Sequence, residues 1–176
     1  MWREQLAGLA DVRHCIAIDL PADGRPDLAS LIESLGDSRA DLVGHSWGGH
    51  ELLAAWRRSP ACIRSIALLG VMFSADSPHA APNASRPVAI EDQEGVVRSI
   101  TVPLLVATGD ADINTPPDLC RKLAGANPGA RWVEIAGAGH MSPVEQPGQV
   151  NAALRALWYD SVALERRSTQ RDTEEA

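Results

Sequence analysis

The sequence predicts an α/β domain built on a mostly parallel sheet of about five strands, with helices on both faces. Two observations carry this. Segments read in the order helix, strand, helix, strand, helix, strand, loop, strand, helix, strand, helix, and such alternation builds a parallel sheet joined by right-handed crossovers. The strand segments are continuous apolar runs rather than alternating ones, as expected of strands covered on both faces. A chain of 176 residues is expected to form one core.

The elements follow in chain order. Trp2 to Leu9 reads as a helix, and His14-Cys15-Ile16-Ala17-Ile18-Asp19-Leu20 as the first strand, about 14–20. Leu28 to Leu35 is a short helix. The second strand, about 40–45, leads into Gly44-His45-Ser46-Trp47-Gly48-Gly49, and His50 to Arg58 is helix-compatible. The third strand is about 63–70. The stretch 74–99 is rich in proline and small polar residues, which make a poor helix, and is expected to be a loop with one turn near Glu91 to Val97. Strands at about 102–108 and 131–136 come next. The last helix, Gln149 to Leu157, puts Val150, Leu154, Leu157 and Trp158 on one side at core-facing spacing. Residues 1–160 form the domain, and 161–176 a polar tail without an apolar face.

Composition excludes several classes. An apolar fraction of 45% argues against disorder. No run approaches the ~20 apolar residues that span a bilayer, and Arg3, Glu4 and Asp11 interrupt any signal-peptide core. The net charge of −7 speaks against nucleic-acid binding. Cys15, Cys62 and Cys120 are odd in number and lack metal-ligand spacing. A cytoplasmic chain without a metal is expected.

Strand, Gly-x-Ser-x-Gly, helix is the layout of a nucleophile elbow. Gly44 and Gly48 supply the small residues that let strand and helix approach, and the turn lifts Ser46 above the sheet edge. The first N–H groups of the following helix then point at whatever Ser46 attacks. A serine needs a base, and the base an orienting acid. The strand at 102–108 ends in Gly109-Asp110-Ala111-Asp112, and the strand at 131–136 ends in Gly137-Ala138-Gly139-His140. Both loops fall at the edge where parallel sheets bind ligands. Asp110 and Asp112 both stand as candidate acids, with capping or bonding of the loop as the other role open to Asp110. His45 and His50, close to Ser46 in sequence, read as packing or hydrogen-bonding residues, and His79 as an exposed one.

These motifs resemble those of the α/β-hydrolases of the esterase, enol-lactonase and cofactor-free haloperoxidase type. Gly-His-Ser-Trp-Gly-Gly is similar to that family's elbow. Gly109-Asp110-x-Asp112-x-x-Thr115-Pro116 is similar to its acid loop, and Gly137-x-Gly139-His140-Met141-x-x-x-Glu145-Gln146-Pro147 to its histidine loop. The resemblance covers roughly residues 2 to 160. It implies Ser46 as nucleophile, His140 as base, Asp112 as orienting acid, Trp47 N–H as an oxyanion donor, and no cofactor.

Against that family the chain reads as shortened at its N-terminus and without a full cap. The strand carrying the family's oxyanion loop has no counterpart, so strand 14–20 is expected to pair directly with strand 40–45, giving a sheet order that follows the chain. The loop Pro21-Ala22-Asp23-Gly24 would then lie beside the elbow, with Ala22 or Gly24 N–H as second oxyanion donor. Three functions follow as expectations: hydrolysis of a small-molecule ester or lactone; acyl transfer or perhydrolysis by the same residues; or an inactive remnant acting as a binding module. Under the last, an exposed sheet edge invites pairing into a homo-oligomer.

Overall fold

A computed structural model describes residues 1–19, 28–36, 38–73, 76 and 93–159. Four strands form one sheet among them. They are β1 (Ala40–His45), β2 (Ile63–Leu69), β3 (Leu104–Gly109) and β4 (Ala130–Ile135), in the spatial order β1-β2-β3-β4 and all parallel. The helices are α1 (Arg3–Gly8), α2 (Leu28–Ser34), α3 (Trp47–Arg58), α4 (Gln93–Ser99), α5 (Pro117–Gly125), α6 (Ser142–Glu145) and α7 over 147–159.

The continuous apolar runs are explained by two cores, one on each face. Successive residues of a strand point to opposite faces. Ile66 and Leu68 of β2, with Leu104 and Val106 of β3, pack with Leu53 and Trp56 of α3, Val97 of α4 and Leu123 of α5. Ala67 and Leu69, with Leu105 and Ala107, pack on the other face with Leu9 beyond α1 and with Val150, Leu154, Leu157 and Trp158 of α7. Burying each of these leucines contributes about 1.5–3 kcal/mol, so a charge at any of these buried positions of β2 or β3 would disrupt one core or the other.

The expected first strand is not formed. Residues 13–19 carry no strand, the sheet has four strands rather than five among the described residues, and β1 pairs only with β2 there. A run of strand-forming residues needs a ladder to pair with. This segment instead reaches β1 through a side chain. Arg13 Nε donates to Asp41 Oδ2 at 2.9 Å, and the same carboxylate accepts from Arg64 at 3.2 Å and Ser65 Oγ at 2.6 Å. Ile16 and Ile18 are left about half exposed. The predicted pairing of 14–20 with 40–45 is therefore corrected, although the four strands that form do follow chain order. Within the expected loop 74–99, Gln93–Ser99 is the helix α4; residues 77–92 lie outside the described residues.

Candidate active site

Three strand ends meet at one edge of the sheet. β1 ends at His45, and Ser46 turns the chain into α3. Ser46 has φ 52°, ψ −119°, the one positive φ of a non-glycine residue among those described. Such a backbone costs on the order of 1–3 kcal/mol and persists only where the surroundings impose it. Here Ser46 N–H donates to Leu69 O at 2.8 Å, and Gly49 N–H to Ser46 O at 3.0 Å. A Cβ at Gly44 would lie 2.7 Å from Gly48 O and 2.8 Å from Gly49 Cα, so strand and helix close on each other there. Gly48 does not share that role: a Cβ on it would meet open space. What approaches Gly44 is the backbone of Gly48, while its side-chain position faces away.

β4 ends in the loop carrying His140, and β3 in the loop carrying Asp112. His140 Nε2 is 3.1 Å from Ser46 Oγ, and His140 Nδ1 is 2.9 Å from Asp112 Oδ2. The carboxylate can only accept, so Nδ1 carries the ring proton and Nε2 is free to accept from the Ser46 hydroxyl. Asp112 is fully buried at its side chain, whereas the His140 side chain is 20% exposed.

A buried carboxylate is expensive unless saturated with hydrogen bonds. Asp112 Oδ1 accepts from Asn114 N–H and Thr115 N–H, both at 2.9 Å. Oδ2 accepts from the hydroxyls of Thr108 at 2.9 Å and Thr115 at 2.6 Å besides the imidazole. Burial pushes the Asp112 carboxyl up, but the Thr115 hydroxyl and N–H, His140 and Thr108 together outweigh it, and the net shift is downward.

Asp110, the other candidate acid, does not face the ring. Its Oδ1 accepts from Gly137 N–H at 2.9 Å and Ala138 N–H at 3.3 Å. Glu145 grips the same loop from the other side, accepting from Gly139 N–H at 2.7 Å and Met141 N–H at 2.9 Å. His45 is 9% exposed and donates from Nε2 to His140 O at 2.7 Å. Gly70, at φ +58°, lies so close that an added Cβ would sit 3.3 Å from His140 Cε1 and 3.3 Å from Thr115 Oγ1.

Trp47 opens α3 and is 46% exposed. Ala22, Gly24 and His79 lie outside the described residues. His50 stands edge-on to Trp47 with ring centroids 6.2 Å apart. A loop-bonding role for Asp110 and a hydrogen-bonding one for His45 were open to the sequence, without their partners; the roles of Thr108, Thr115, Gly70 and Glu145 were not. Of the latter, only the threonines carried a signal, as hydroxyl residues flanking the acid loop. Among the described residues no group of three His, Cys, Asp or Glu is placed to hold a metal ion, and no helix is long and apolar enough to cross a membrane.

No protein-family model matches the chain. Over 57 residues it is 42% identical to BpoC of Mycobacterium tuberculosis, a protein assigned as a non-heme bromoperoxidase; the match spans 32% of this chain and only 22% of that relative. Solved structures align over much more of it. A thermophilic esterase from Thermogutta terrifontis superposes with a TM-score of 0.72 at 20% identity, covering 91% of this chain and 85% of the esterase. A meta-cleavage product hydrolase from Pseudomonas fluorescens gives 0.72 at 14% identity over the same shares. The structure of BpoC itself gives 0.61 at 21% identity, over 76% of this chain and 71% of that one. At such identities the likeness is one of architecture: the chain has the α/β-hydrolase fold, in reduced form.

Proposed function

We propose that this chain is a serine hydrolase that cleaves small carboxylic esters or lactones through an acyl-enzyme. The observation that carries the reading is the unbroken line from Asp112 through His140 to Ser46, at 2.9 and 3.1 Å. The strained backbone of Ser46, which points the hydroxyl along that line, supports it.

In this reading Ser46 Oγ attacks the substrate carbonyl carbon as His140 Nε2 takes the hydroxyl proton. The tetrahedral intermediate collapses, the ester C–O bond breaks, and the same proton passes to the departing alkoxide. Water, activated by His140, then attacks the acyl carbon, and the proton returns to Ser46. Asp112 holds the imidazole in the tautomer with its proton on Nδ1 and stabilises the imidazolium. Trp47 N–H, at the N-terminus of α3, is the oxyanion donor the elbow supplies.

The stretch shared with BpoC supports a second reading, in which hydrogen peroxide replaces water at the acyl-enzyme and releases a peracid.

Turnover of p-nitrophenyl acetate tests the proposal. Wild type should release nitrophenolate above the buffer rate, and Ser46→Ala should release none above it. Equal rates from the two proteins would overturn the reading. Adding peroxide and measuring peracid separates hydrolysis from perhydrolysis.

A further inference from the structure

We propose that His45 is a positioning residue for the base, acting through the backbone of His140. The inference rests on the reading of Ser46 and His140 given above. His45 directly precedes Ser46 in the chain, and its Nε2–H donates to the carbonyl of His140 at 2.7 Å. Meanwhile the His140 side chain reaches Ser46 Oγ at 3.1 Å. The two contacts close a ring. One side runs through the 45–46 peptide, the other through residue 140, whose carbonyl is held at one contact and whose imidazole works at the other.

The geometry explains why a second tie is needed. Ser46 at Nε2 and Asp112 at Nδ1 hold the imidazole ring, but neither contact ties the backbone of residue 140 to the elbow. Holding the carbonyl of the same residue fixes the loop's distance from the elbow without using either ring nitrogen. The other ties on this loop run elsewhere. Asp110 holds Gly137 and Ala138 to the acid loop, and Glu145 holds Gly139 and Met141 to α6. Of these ties, that of His45 runs to the elbow.

The identity of the donor also matters. The His45 and His140 ring centroids are 4.7 Å apart, tilted by 51°. When His140 becomes an imidazolium in turnover, a second positive charge at that distance would oppose it. Burial favours the neutral form of His45, its bond to the His140 carbonyl and the charge of Asp112 oppose that, and the His140 ring acts in the same sense as burial; the net shift is downward. The tie is thus made by a neutral N–H.

Two substitutions separate the hydrogen bond from the packing. His45→Gln keeps an N–H donor at similar reach, and His45→Met keeps the length without a donor; both lose the ring. His45→Met should lower kcat on p-nitrophenyl acetate by about tenfold to a hundredfold, since a misplacement of about 1 Å can reach that size. KM should stay within about twofold, and His45→Gln should recover most of the loss. Hydrogen exchange of the amides of residues 137–141 should quicken in His45→Met and not in His45→Gln. Equal behaviour of the two variants, or a His45→Met protein like wild type, would overturn the inference. Should His45→Met fail to fold, His45→Asn, whose shorter amide falls short of the carbonyl, supplies the same contrast. If wild type turns over no ester, the reading of Ser46 fails, while the exchange rates still decide the role of His45.

Discussion

Asp110 and Asp112 stand two residues apart on one loop and hold different parts of the same histidine segment. Asp112 Oδ2 meets the His140 ring at 2.9 Å, whereas Asp110 Oδ1 meets the backbone N–H of Gly137 at 2.9 Å, three residues before that ring. One carboxylate orients the imidazole, and the other orients the turn that delivers it.

Substituting the two acids should therefore give different kinetics. Asp112→Asn presents an amide to hydroxyl and imidazole donors and favours the wrong tautomer; a loss of about 10⁴-fold in kcat is expected, as for the equivalent change in a serine protease. Asp110→Asn still offers its carbonyl oxygen to Gly137, so its loss should be on the order of tenfold or less. Steady-state kinetics of both purified variants on one ester check this, and the reverse ranking would assign the acids the other way.

Two glycines should respond in opposite directions to alanine. At Gly70, with φ +58°, an added Cβ would press on His140 and Thr115. Gly70→Ala should destabilise the fold by about 1–2 kcal/mol from the backbone alone and also lower kcat. At Gly48, inside α3 and facing open space, Gly48→Ala should add about 0.5–1 kcal/mol of stability. Urea unfolding midpoints, read beside kcat, compare the two.

Stability should rise with pH across a window just below 6.5. The fold lowers the pKa of His45 beneath its ordinary 6.5. Between the folded pKa and 6.5 the unfolded chain therefore binds more protons, and acidification favours unfolding there. His45→Gln should flatten that part of the curve. Asp112 acts lower on the scale: its carboxyl is held below the ordinary 3.8, so its contribution is complete above 3.8 and is lost as pH falls through the lowered value. Melting temperatures of wild type and His45→Gln from pH 5 to 7.5 check the first window.

What the sequence made legible was what local pattern and parallel topology determine. Continuous apolar runs such as Ile66 to Leu69 announced strands buried on both faces, and the spacing of Val150, Leu154, Leu157 and Trp158 announced a core-facing stripe. Parallel strands end at one edge, so the meeting of Ser46, Asp112 and His140 was readable from three strand-end loops. The run at 14–20 misled because strand propensity says nothing of whether a ladder partner is present. Gly48 misled because a motif does not show which glycine's side-chain position faces the strand. The grips of His45, Asp110 and Glu145 on the His140 loop depend on backbone groups brought from far along the chain. A residue type such as His45 or Asp110 signals a hydrogen bond there but not its partner.

Covalent labelling by a serine-directed fluorophosphonate, read by intact mass and peptide mapping, tests whether Ser46 is an activated nucleophile. One adduct per chain is expected, on Ser46, lost in Ser46→Ala and strongly slowed in His140→Gln. A folded wild-type protein that takes up no label, or one labelled equally in Ser46→Ala, would contradict that role.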